Sequence, residues 1–154
     1  MTIQLKFKVD TATRIKKPIE QVFEAVVAPD HLNKYFTNGA KGRLEPGSNV
    51  QWKFAELPNA LTIDVVEVTK NKRIEFKWEA HKVSYKTKVE VLFENLDEKG
   101  TMVRVIETGW ETDSTGLESM SSHTEGWVHM LCCLKGYLEY SIDLRSGSGA
   151  CNQN

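Results

Sequence analysis

The chain has 154 residues, of which 40% are hydrophobic and 27% are charged. This length suits one domain, and this composition excludes wholesale disorder. The 20 basic and 21 acidic side chains give a net charge of -1, which argues against a general nucleic-acid binder. We therefore expect no nucleic-acid partner. No apolar run approaches the roughly 18 residues that span a bilayer, so we also expect no membrane segment.

The chain opens with an alternation typical of a strand and then changes to helical spacing. Apolar residues occupy every second position of residues 3–9, which predicts a half-buried strand that continues to Ile15. Helical spacing follows over residues 18–28 and predicts a helix with Pro18 in its first position. Asp30 is the expected N-cap of a second, shorter helix.

The middle of the chain is typical of consecutive β-strands. Apolar and polar residues alternate over about 70 residues, and short turn sequences interrupt the alternation. Strands with such short connections form an antiparallel meander. The predicted strands are residues 40–44, 50–54, 62–68, 74–78, 85–93 and 101–108.

The last predicted element is a long helix from about Ser119 to Leu144, preceded by capping residues at 113–115. Residues 1–145 are therefore expected to form one domain, and residues 146–154 a flexible polar tail. The apolar stripe of this helix consists of Leu117, Met120, Trp127, Leu131, Leu134, Leu138 and Ile142.

These elements predict an α+β fold in which a curved antiparallel sheet of six or seven strands grips the long helix. One helix is about 10–12 Å wide and cannot cover so broad a sheet, so we expect a cavity between them. The two short helices would close one end. We predict that the ligand-binding residues are Trp52, Phe54, Phe76, Trp78, Tyr85, Val89, Val105, Glu107, Met120, His123, Trp127 and Leu131.

Several motifs, in the same order along the chain, resemble the SRPBCC (START-like) superfamily. Within it, the chain is most similar to bacterial homologues of the C-terminal domain of the heat-shock-protein-90 ATPase activator. The resemblance implies a helix-grip fold with an internal apolar cavity, and it names no ligand. The motifs are PIEQVFEA at 18–25, PDHL at 29–32, RIEFKW at 73–78, EKGT at 98–101, ETGW at 107–110, HTEGW at 123–127 and the leucines and tyrosine of 131–138.

Glu107 and His123 are the residues that could carry chemistry. The alternation that directs Val103 and Val105 inward places Glu107 on the same inner face. A carboxylate there binds a polar group, acts as an acid or base, or is satisfied by neighbouring side chains. His123 lies one helical turn before Trp127, on the same side of the helix and within reach of Glu107. The alternatives for His123 are that it orients a ligand, moves a proton or simply bonds to backbone or solvent.

Other kinds of site receive no support from the sequence. The cysteines at 132, 133 and 151 and the remaining histidines lack metal-ligand spacing, so we expect neither a metal nor a cofactor. Reduced cysteines and an N-terminus without an apolar signal-peptide core favour a cytoplasmic protein. The glycine-rich and nucleophile motifs of NTPases, Rossmann enzymes and serine hydrolases are absent.

Three hypotheses about function follow. The first is a binding protein that holds a small apolar or amphipathic molecule between sheet and helix. The second is a co-chaperone-like interaction module with a chaperone partner. The third is a cyclase or hydrolase that uses Glu107 and His123 as acid and base. We favour the first and expect a monomer or a homodimer, since an edge strand near residues 3–9 offers a pairing surface.

Overall fold

The computed structural model describes residues 3–145, which form one six-stranded sheet, two short helices and one long helix. The elements are β1 (Lys8–Ile15), α1 (Ile19–Val27), α2 (Pro29–Tyr35), β2 (Asn49–Trp52), β3 (Leu61–Thr69), β4 (Arg73–Glu79), β5 (Lys86–Asn95), a 3₁₀ turn (Asp97–Lys99), β6 (Thr101–Thr108) and α3 (Ser114–Tyr140). The strands lie in the order β1-β6-β5-β4-β3-β2, and all neighbours are antiparallel. This curved sheet around a long helix confirms the predicted α+β helix-grip fold.

Alternation along the strands turns one face of the sheet toward α3. In β6, Val103, Val105 and Glu107 are fully buried, whereas Arg104 between them is exposed. Side chains of successive strand residues point to opposite faces, so period two alone places Glu107 in the interior. Burial of the apolar side chains between sheet and helix supplies the main stabilisation of this arrangement.

Helices α1 and α2 are separated by Ala28 alone. The hydroxyl of Tyr35 in α2 donates to the carbonyl oxygen of Ala25 in α1 at 2.9 Å, which joins the two helices. The prediction of Asp30 as N-cap is wrong, because Pro29 takes the first helical position and Ala28 precedes it. Asp30 lies instead in the first turn, where its negative charge interacts favourably with the positive end of the helix dipole.

The long helix α3 has 27 residues and begins earlier than the predicted Ser119. The side chain of Asp113 accepts a hydrogen bond from the backbone N–H of Gly116 at 2.7 Å, so the capping residues lie directly at the helix start. At the inner face of α3 the buried members of the predicted stripe are Trp127, Leu131, Leu134 and Leu138, with Met120 partly buried and Leu117 half exposed.

The helix ends at Tyr140 and not at Leu144. Ser141 adopts a left-handed conformation with φ 55°, and the backbone N–H of Ile142 bonds back to the carbonyl oxygen of Gly136. A Cβ added at Gly136 would lie 2.9 Å from Leu144, so the returning segment packs closely against the helix. Ile142 is therefore outside the helix and 47% exposed.

The first strand is shorter than predicted. It begins at Lys8, which pairs with Thr108, the last residue of β6. Residues 3–7 extend beyond the end of that partner strand and do not belong to the sheet. Pro18 is the N-cap residue of α1 and does not occupy the first helical position, which is taken by Ile19.

Two predicted strand segments around β2 also differ. Residues 40–44 form a single bridge, from Lys41 to Gln51, because Gly42 turns the backbone with φ 88°. Strand β2 ends at Trp52, so Phe54 lies in the loop that follows. No helix between residues 3 and 145 is long and apolar enough to cross a membrane. The predicted tail at 146–154 lies outside the described residues.

Candidate functional site

A cleft opens between the middle of α3 and the loops that follow β2 and β4. Its volume is about 550 Å³, within the range of roughly 300–1,000 Å³ that is typical of small-molecule sites. The end of α2 contributes a third side. Large apolar side chains form most of the wall, namely Phe36, Phe54, Leu57, Trp78, Trp127 and Met130.

Four aromatic rings of this wall contact one another. The centre of the Phe36 ring lies 5.1 Å from Phe54 and 6.0 Å from Trp127. The rings of Trp127 and Trp78 are 5.4 Å apart. Rings at these separations attract one another beyond the effect of simple burial, so the wall is a connected aromatic surface.

The carboxylate of Glu107, which is 0% exposed, holds both tryptophans of the wall. Its Oε1 accepts from the indole N–H of Trp127 at 2.7 Å, and its Oε2 accepts from the indole N–H of Trp78 at 2.9 Å. The hydroxyl of Thr87 donates to Oε2 at 2.6 Å. Nδ1 of His123 lies 2.8 Å from Oε1 and 3.0 Å from Oε2.

The hydrogen bonds fix the tautomer of His123. Its Nε2 accepts the backbone N–H of His81 at 3.0 Å, so this nitrogen carries no proton. Nδ1 therefore carries the ring proton and donates a hydrogen bond to the carboxylate of Glu107. The imidazole is neutral, and its ring packs edge-to-face against Trp78 and Trp110, with centroids 5.6 and 5.3 Å away.

This hydrogen-bond network joins α3 to three strands and one loop. Glu107 lies on β6, Thr87 on β5, Trp78 on β4, and His123 and Trp127 on α3. His81 belongs to the loop between β4 and β5, which borders the cleft. A buried carboxylate is tolerated because four donors replace its water, and the same bonds fix two rings of the wall before any ligand arrives.

The structure brings only some of the predicted ligand-binding residues to the cleft. Those on its wall are Phe54, Trp78, His123 and Trp127. Glu107 forms hydrogen bonds with three of these, Trp78, His123 and Trp127, but does not border the cleft itself. The remaining predicted residues pack elsewhere in the core. Tyr85 and Met120 are partly buried there, and the fully buried ones are Trp52, Phe76, Val89, Val105 and Leu131.

Other wall residues were not predicted. Phe36 follows α2, Leu57 lies in the loop after β2, and Gly126, Met130 and Cys133 line the cleft from α3. The three α3 residues follow His123 at helical spacings of three, seven and ten, which is the signal that could have identified them. Loop residues have no periodic signal.

Cys133 differs sharply from its neighbour Cys132. Cys133 is buried and Cys132 is exposed. Burial raises the pKa of the Cys133 thiol to about 11. Its sulfur lies 3.5 Å from Nε2 of His129.

Residues 3–145 contain no group of three or more His, Cys, Asp or Glu side chains that could hold a metal ion.

We expect iodoacetamide at pH 8 to alkylate Cys132 roughly a hundredfold faster than Cys133, because the thiolate is the nucleophile. Below pH 11 the Cys133 rate should rise about tenfold per pH unit as its thiolate fraction grows. Fragment-ion mass spectrometry of the peptide that contains both cysteines measures each rate. Equal rates at pH 8 would show that Cys133 is not buried.

The chain is similar to proteins of known structure. A family model described as Activator of Hsp90 ATPase homolog 1-like protein matches residues 16–139. Protein SSP2350 from Staphylococcus saprophyticus is 31% identical, with a TM-score of 0.76 over 90% of this chain and 96% of that chain. Aha1 from Colwellia psychrerythraea, solved as a dimer, is 23% identical, with a TM-score of 0.73 over 86% of this chain and 96% of that chain.

Aha1 and the next neighbour are both less than 25% identical to this chain, and their similarity concerns the fold alone. CalU16 from Micromonospora echinospora is 17% identical, with a TM-score of 0.71 over 94% of this chain and 82% of that chain. No curated protein sequence is similar enough to count as a match.

Proposed function

Since this chain belongs to the family of Activator of Hsp90 ATPase homolog 1-like proteins, within the START-like superfamily, we propose that it binds a small apolar or amphipathic molecule in the cleft beside α3. The observation that carries the proposal is the aromatic wall, whose two tryptophans are fixed by one buried carboxylate. Apolar sites with a few placed polar groups are typical of ligand pockets.

Gly126 offers a direct test, because it lines the cleft and a Cβ there would have no atom within 4 Å. We expect Gly126→Leu to project its side chain into the cleft and weaken binding of the neutral dye Nile red at least about tenfold, by steric exclusion. Gly126→Ala is the matched control and should bind the dye as the wild type does. Fluorescence titration measures the three dissociation constants.

The stability of both variants separates blocking from unfolding. Replacing a glycine inside a helix removes about 0.5–1 kcal/mol of entropic cost, so neither variant should melt below the wild type. Saturable wild-type binding that Gly126→Leu abolishes supports the proposal. Absence of saturable binding to the wild type, or equal affinity for Gly126→Leu, contradicts it.

The family description favours a second candidate, an interaction module that acts on an Hsp90-type chaperone. Stimulation of the ATPase of a purified Hsp90 by this protein would support that role. An acid–base role for Glu107 and His123 has less support, because both carboxylate oxygens and both ring nitrogens are already hydrogen-bonded within the protein.

A further inference from the structure

The charge of Glu107 has no counterion among residues 3–145. The carboxylate is fully buried, and the groups that bond to it are two indoles, one hydroxyl and one imidazole. The imidazole of His123 is neutral because its Nε2 accepts the backbone N–H of His81. One negative charge therefore lies behind the aromatic wall with only neutral partners.

The cations that border the cleft are already engaged elsewhere. Nζ of Lys82 lies 2.6 Å from Oε1 of Glu118. The guanidinium of Arg145 donates to the carbonyl oxygens of Thr37 at 2.7 Å and Asn33 at 3.3 Å. It also lies 3.7 Å from Oδ2 of Asp143.

The acidic side chain of Glu56 also borders the cleft, and the described part of the chain provides it with no ion pair. Together with Glu107 it leaves the surroundings of the cleft with negative charge that the protein does not neutralise. The faces of aromatic rings carry partial negative charge of their own and attract cations within about 6 Å.

We propose that the ligand of this cleft carries a cationic group, an amine or a quaternary ammonium, on an apolar or aromatic body. The inference rests on the proposed function and names the class of molecule. The indole faces of Trp78 and Trp127 attract the cation, and both indoles donate their N–H to the Glu107 carboxylate, which increases the electron density of the rings. Charge interactions in a dry interior are screened far less than in water, so Glu107 attracts the cation through the wall.

A set of three fluorescent probes of nearly the same shape tests the proposal. They are neutral diphenylhexatriene, its cationic trimethylammonium derivative and its anionic propionic acid derivative. We expect the cationic probe to bind the wild-type protein about 5- to 30-fold more tightly than the neutral one, as cation–π attraction in a desolvated site predicts. The anionic probe should bind most weakly.

The Glu107→Gln variant should lose most of this preference for the cation. Glu94→Gln is the matched control, because it removes one negative charge at an exposed position of β5 that does not border the cleft, and it should keep the preference. The melting temperature shows whether each variant is folded. If Glu107→Gln does not fold, the affinities of the wild-type protein for the three probes still test whether the cleft prefers a cation.

The outcomes separate this inference from the function on which it rests. Binding of the neutral probe with no preference for the cation overturns the inference and leaves the binding function intact. A preference that survives in folded Glu107→Gln also overturns it, because the charge of Glu107 would then play no part. Failure of all three probes to bind overturns both.

Discussion

We expect Glu107→Gln to lower the free energy of unfolding by about 3–5 kcal/mol. The carboxylate accepts four hydrogen bonds in a fully buried position. A glutamine of the same shape has one oxygen acceptor, and its amide nitrogen would face groups that also donate. About two buried donors would be left without an acceptor. For a chain of this size the melting temperature should fall by about 10 °C.

Thr87→Val is the matched control for this prediction. It keeps the shape of a buried β5 side chain and removes one of the four donors. The acceptor keeps its other three partners, so we expect a loss of only about 1–2 kcal/mol. Urea unfolding of both variants measures the difference. A Glu107→Gln protein as stable as Thr87→Val would show that the carboxylate is not the centre of this hydrogen-bond network.

Gly100→Ala should cost at least about 3 kcal/mol, because strain and overpacking act together. Gly100 lies in the turn before β6 with φ 103° and ψ -137°, a conformation that glycine alone adopts readily. A Cβ there would lie 2.1 Å from the carbonyl oxygen of Ile15. It would also lie 2.9 Å from Cα of Lys16. Both of these atoms belong to the backbone, so relief requires the end of β1 to move away from β6.

Gly126→Ala is the control for substitution of a glycine, and it should change stability in the opposite direction. Gly126 lies within α3, where the added methyl group meets no atom within 4 Å. We expect a gain of about 0.5–1 kcal/mol from the lower entropy of the unfolded chain. Thermal unfolding of both variants measures the contrast. A Gly100→Ala protein that melts with the wild type would contradict the close packing of this turn.

The regular parts of the fold could be predicted because their signals are local. Alternation from Val103 onward is enough to place Glu107 inside, and helical spacing identifies Leu131 and Leu134 as core residues of α3. Boundaries that depend on distant partners could not be predicted. The start of β1 at Lys8 is set by the end of β6 at Thr108, about a hundred residues later in the chain.

In the candidate site too, the residues with a periodic signal could be predicted and those that depend on loop conformation could not. The sequence predicts an inward carboxylate near His123 and Trp127, and the structure brings these three side chains together. It gives no signal for the loops that complete the cleft, because irregular segments lack periodicity. The bond from the His81 backbone to His123, which fixes the tautomer, depends on how such a loop docks against α3.

NMR spectroscopy tests most directly whether a small apolar or amphipathic molecule binds against the tryptophan wall of the cleft, as we claim. The four tryptophans provide four indole N–H signals in a nitrogen–proton NMR spectrum. On titration with Nile red, the signals of Trp78 and Trp127 should shift and saturate at one equivalent. The signal of Trp110, which bonds to Ser119 and does not border the cleft, should stay in place. Unchanged signals of Trp78 and Trp127, or an equal shift of Trp110, would contradict the claim.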